Sequence, residues 1–124
     1  MIKPKTLANL AGALALTVLA TAPAWAAAEF PTGVYAMKNA TLTFDDKGQY
    51  HVKLGEALKL EGAYTVKGEV IQLTDKSGPW ACTKAGEETG SYNWKSDKGV
   101  LTFTKVADAC KDRSDSLASP WKKK

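Results

Sequence analysis

The sequence predicts an all-β protein, a small antiparallel meander barrel of about eight short strands held by one disulfide. Three observations predict it. Apolar and polar residues alternate in run after run, a Gly-x-Tyr unit recurs at nearly constant spacing, and the only two cysteines, Cys82 and Cys110, form an obvious pair.

The first element is a leader rather than part of the fold. Met1-Ile2-Lys3-Pro4-Lys5 is basic, Leu7 to Leu19 is an apolar stretch, and Ala24-Trp25-Ala26 supplies the A-x-A pattern read by a signal peptidase. The pattern implies a signal peptide over residues 1–26 and one domain over 27–124; cleavage after Ala28 also fits. A spanning helix needs roughly 20 apolar residues, more than this run offers before Pro23. No second apolar run follows, so no membrane span is expected after cleavage.

Val34–Met37 and Ala40–Phe44 are the first strands, the second alternating Leu42 and Phe44 with threonines. Asp45 to Gly48 has turn composition, and Tyr50–Leu54 alternates again, with Tyr50, Val52 and Leu54 on one face and His51 on the other. Further strands are expected at Leu58–Leu60, Ala63–Val66, Glu69–Leu73, Ser91–Trp94 and Val100–Val106. Lys67-Gly68 and Asp97-Lys98-Gly99 are read as short turns between partners. Ala107 to Ser119 loses the alternation and is expected to be a loop with one helical turn, after which Pro120-Trp121 begins a last edge strand.

Gly33-Val34-Tyr35, Gly62-Ala63-Tyr64 and Gly90-Ser91-Tyr92 open three similar units at intervals of 29 and 28 residues. Such a unit cannot bury its apolar face alone, so the copies must pack into one sheet. Closing that sheet removes exposed edges, which favours a barrel.

An even cysteine count in an exported domain reads as a bridge, Cys82–Cys110. Two thiolates with a single histidine, His51, do not complete a zinc site, and no metal or cofactor is expected. Lys3 and Lys5 leave with the leader, so the net charge of +4 falls to +2. Both signs are interspersed over the rest, which argues against a nucleic-acid partner. The Asp108, Asp112 and Asp115 cluster lacks the spacing of a calcium loop. No nucleophile elbow accompanies His51, so no catalytic residues are assigned and no enzyme activity is expected.

A Gly-x-aromatic first strand followed by a short-turn meander resembles the calycin group: lipocalins, fatty-acid-binding proteins and avidins. More closely, Gly90-Ser91-Tyr92-Asn93-Trp94, Leu101-Thr102-Phe103 and Asp108-Ala109-Cys110-Lys111-Asp112-Arg113, running on to Leu117 and Trp121, resemble uncharacterised bacterial exported lipocalin-like proteins. The chain departs from lipocalins at Tyr35, where their first strand carries Trp, and in its shorter length. The resemblance implies that Arg113 stacks on the first-strand aromatic, Tyr35, and closes one barrel end.

Two functional classes remain open. One is a periplasmic or secreted binding module for a hydrophobic or amphipathic small molecule. Its candidate ligand-binding residues are Trp80, Tyr35, Tyr64, Tyr92, Trp94 and Arg113, since amphipathic rings line pockets as readily as they fill cores. The other is a protein-interaction or inhibitor domain whose barrel is fully packed. A cavity of about 300 Å³ or more with apolar walls separates them. Its expected place is the end shaped by the Lys76 to Gly90 loop, the longest connection between strands before the C-terminal segment.

Overall fold

Alternation in the sequence becomes strand after strand in the structure, a computed structural model that describes residues 30–124. The signal peptide and cleavage site expected from the sequence lie outside the described residues. Eight antiparallel strands close into a barrel in chain order: β1 (Gly33–Met37), β2 (Ala40–Phe44), β3 (Gln49–Leu54), β4 (Ala57–Lys67), β5 (Val70–Ser77), β6 (Thr89–Asp97), β7 (Val100–Ala107) and β8 (Trp121–Lys123). One helix, α1 (Lys111–Leu117), lies between β7 and β8.

Turn chemistry sets the register. Asp45 Oδ1 accepts from the backbone N–H groups of Lys47 and Gln49, each at 2.8 Å, and this local ring folds the chain from β2 into β3 so that Phe44 faces Tyr50. Lys98 and Gly99 both have positive φ, 52° and 82°, as the tightest hairpin turn demands, and they bring Val100 opposite Asp97.

Three elements differ from expectation. The segments Leu58–Leu60 and Ala63–Val66 are one strand, β4, interrupted by a bulge at Glu61/Gly62. Gly62 permits it: a Cβ there would lie 2.3 Å from the Thr74 carbonyl oxygen and 2.7 Å from the Tyr50 ring. Second, β8 is no edge strand. It pairs with β7 through Leu101↔Trp121 and with β1 through Tyr35↔Lys123, and so completes the barrel. Third, Lys111–Leu117 forms a two-turn helix rather than a single turn in a loop, with the Cys110 sulfur at its N-cap accepting from the Arg113 N–H.

Inward-facing side chains fill one part of the barrel with Tyr35, Phe44, Tyr50, Tyr92, Phe103 and Trp121, all buried. The end carrying the β2–β3, β4–β5 and β6–β7 turns is closed by Phe30. Its ring meets Phe44, Tyr64 and Trp94 at centroid distances of 4.8, 5.6 and 5.1 Å. The other end carries the β1–β2 turn, the β5–β6 loop and α1, and it is open.

Candidate functional site

A cavity of about 450 Å³ enters the barrel from that open end. Its walls are the inward-facing aliphatic residues of four strands, Leu42, Val52, Leu60 and Leu73, with Phe44 and Trp121 at the inner end. Two structures frame the mouth. Lys38 and Asn39 of the β1–β2 turn stand on one side, and Asp112, Asp115 and Ser116 of α1 on the other. Trp80, from the β5–β6 loop, also lines the cavity while remaining 45% exposed, with Lys59 Nζ 5.9 Å from its ring centroid.

Inside the rim, Tyr50, Asp75 and Arg113 meet at the cavity wall. They belong to a buried chain, Tyr50–Asp75–Arg113–Asp108–Tyr92. Each phenol donates to its neighbouring carboxylate, Tyr50 Oη to Asp75 Oδ1 and Tyr92 Oη to Asp108 Oδ2. Arg113 forks onto Asp108, with Nε 2.8 Å from Oδ2 and Nη2 2.7 Å from Oδ1. Its Nη1 lies 3.1 Å from Asp75 Oδ2, and Nη1 and Nη2 also donate to the carbonyls of Glu88 and Glu87 at 3.1 and 2.8 Å. The five N–H groups thus meet four hydrogen-bond acceptors and the Asp75 carboxylate.

The same two carboxylates hold the disulfide. Asp75 Oδ2 accepts from the Cys82 N–H at 2.8 Å, and Asp108 Oδ1 from the Cys110 N–H at 2.9 Å. Cys82 and Cys110 are bonded, with their Cα atoms 6.1 Å apart, so the bridge ties the β5–β6 loop to the start of α1. Gly90 makes the arrangement possible, because a Cβ there would lie 2.3 Å from Asp108 Oδ2. The glycine of Gly-x-Tyr therefore has a definite use in two copies: Gly62 clears space for the Tyr50 ring, and Gly90 for the Asp108 carboxylate.

Burial and the carboxylate partner push the Tyr50 and Tyr92 phenols well above their ordinary value of 10.0. For Asp108, burial opposes ionisation, but hydrogen bonds from Arg113, Tyr92 and the Cys110 N–H outweigh it and hold the carboxyl below its ordinary 3.8. Arg113 is buried too, yet its two carboxylates raise it further from any titration.

Of the residues singled out from the sequence, Trp80 and Arg113 line the cavity. Tyr35, Tyr64, Tyr92 and Trp94 do not. Tyr64 and Trp94 pack on Phe30 at the closed end, Tyr92 anchors Asp108, and Tyr35 donates to the Pro31 carbonyl at 2.7 Å. The expected stacking of Arg113 on Tyr35 is not formed, because the guanidinium is held by Asp108, Asp75 and the β5–β6 carbonyls. Lys123 Nζ takes that place, 5.4 Å from the Tyr35 ring centroid. Asp75 escaped the sequence reading although a signal exists: Ile71, Leu73 and Asp75 share one face of β5, and continuing the alternation past Leu73 turns the carboxylate inward.

Asp75, Cys82 and Cys110 place potential ligand atoms within 4.8 Å of one another. The sulfurs are joined in a disulfide, so the thiolates a metal would need are not available, and the Asp75 oxygens already accept from Tyr50 and Cys82. Comparison with family models, with curated proteins and with solved structures finds no match.

Proposed function

We propose that this protein is an exported binding module that holds a hydrophobic or amphipathic small molecule inside its barrel. The observation that carries the reading is the open, apolar-walled cavity of about 450 Å³. Pockets that enclose small ligands begin at about 300 Å³ and are lined mainly by apolar and aromatic groups, with few polar ones. A fully packed barrel acting only through its outer surface has no use for such a space, so the cavity favours binding over a purely protein-interaction role.

Export is supported by the leader read in residues 1–26 and by the Cys82–Cys110 bridge, which suits the periplasm or the extracellular space. Among the described residues no helix is long and apolar enough to cross a membrane. Kinship with small lipocalin-like proteins is part of the same proposal. It rests on the landmarks from Gly90 to Trp121 and on a closed up-and-down meander of eight strands.

Native mass spectrometry of the protein secreted with its own leader tests the reading. A small molecule retained at one per chain, displaced by an apolar fluorescent probe, is expected. Absence of both a retained molecule and saturable probe binding would reject it.

A further inference from the structure

The side chains lining the cavity determine which end of an amphipath can enter, given the binding role proposed above. An acid entering head-first needs donors at depth, since a carboxylate taken from water without new hydrogen bonds carries a large desolvation penalty. The inner end offers Phe44 and Trp121, and the three polar side chains inside the exposed rim are Tyr50, Asp75 and Arg113. Tyr50 Oη–H is already given to Asp75. Arg113 looks like an anion anchor but is not free: Asp108 takes its fork, the Glu87 and Glu88 carbonyls take two more N–H groups, and Asp75 Oδ2 faces Nη1. One guanidinium set against two carboxylates leaves no positive charge to spare.

The mouth is built differently. Lys38 and Asn39 face Asp112, Asp115 and Ser116 across the opening, and all five are exposed. Asp115 is itself paired with Lys111 at 2.7 Å. Both signs are present at a wet rim, where single ion pairs contribute little.

We propose that the ligand is an amphipath with one apolar chain, taken up chain-first, whose uncharged or zwitterionic head stays at the mouth beside Trp80. The walls recognise the chain by burying it. The wall offers an anionic head no free donor, and the rim does not select one by charge.

A matched series tests this on the full secreted chain: a fatty acid, the corresponding alcohol and a zwitterionic single-chain lipid, all with the same chain. The alcohol and zwitterion are expected to bind at least as tightly as the acid. An acid bound more than about tenfold tighter than the alcohol, a gap of about 1.4 kcal/mol, would overturn the proposal. Orientation is read independently with brominated chains, because bromine quenches a nearby indole. Trp121 lines the inner cavity at 2% exposure, and Trp80 lines the mouth. In Trp80→Phe, bromine at the chain terminus is expected to quench Trp121, whereas bromine beside the head quenches only the wild-type protein. The reverse pattern means head-first entry and sinks the inference while leaving the binding role intact. If no member of the series binds saturably, the binding role itself falls.

Discussion

Arg113 holds together groups that would otherwise be buried charges without partners. Its side chain is 5% exposed and its two carboxylate partners, Asp75 and Asp108, are 1% and 0% exposed. Removing one member of such a buried set typically costs about 3–5 kcal/mol, because the remaining charges stay desolvated. Arg113→Ala is therefore expected to lower the unfolding free energy read from a urea titration by that amount. Lys111→Ala, which breaks an exposed, solvent-screened pair two residues away, should leave stability almost unchanged. Equal effects would mean that the buried chain has no special weight. Buried phenols and carboxyls set the response to pH. All four tyrosines have phenols raised by burial, so the unfolded state ionises first as pH climbs past 10.0, and stability present below that value is lost above it. Phenolate absorbance is expected to appear only with unfolding; a tyrosine titrating at its ordinary value in the folded protein contradicts this. Asp108 acts oppositely. Its carboxyl lies below 3.8, so its contribution is present above that value and lost as pH falls through the folded one. Arg113 itself was visible in the sequence, but its role was not, because the partner Asp75 lies 38 positions earlier and only the closed sheet brings them together.

Among the elements, strands with a clean period of two were legible from their residues, since one buried face is all that a strand such as Ala40–Phe44 requires. The misreadings have local causes. Glycine at position 62 resembles a chain break, yet it is a bulge inside β4, and only the Tyr50 ring beside it distinguishes the two. The three residues of β8 carry too little pattern to announce that they seal the barrel. The helix α1 buries just Arg113 and Leu117, spaced by four, and its N-cap is a sulfur of the bridge rather than the usual hydroxyl or carboxylate. That placement makes α1 and the β5–β6 loop depend on the bridge. Replacing both Cys82 and Cys110 by Ser is expected to lower stability by about 2–5 kcal/mol. It should also raise amide exchange in Lys111–Leu117 before the strands, and an unchanged midpoint with unchanged exchange would reject the dependence. Trp80 sits on the same loop but is half-exposed, so Trp80→Ala should cost about 1 kcal/mol or less, far below the ~3–5 of a buried aromatic. Weakened probe binding with little loss of stability marks Trp80 as a wall of the mouth; a large loss of stability marks it as a plug.

At the scale of the whole molecule, the barrel divides its interior between two tasks. Aromatic packing around Phe30, Phe44, Tyr64 and Trp94 closes one end and supplies rigidity, while shorter aliphatic side chains toward the other end leave the cavity. Val52 occupies the middle of that aliphatic wall: it lies opposite Leu42 on β2 and Leu60 on β4, and all three line the cavity. A larger side chain at this point enters empty space rather than packed neighbours, so the strain that usually follows overpacking does not arise. Val52→Phe is therefore expected to keep the fold and to raise stability by about 0.5–2 kcal/mol, the usual gain from filling a cavity. The added ring takes the volume a chain would occupy, and probe affinity should fall at least about tenfold, or 1.4 kcal/mol. Val106→Ala, on the exposed outer face of β7, should alter neither quantity. Circular dichroism and thermal melting establish that each variant is folded, and probe titration then reads the site. If Val52→Phe is folded and binds as the parent does, the ligand lies elsewhere, because a phenyl ring and an apolar chain cannot share the centre of one cavity.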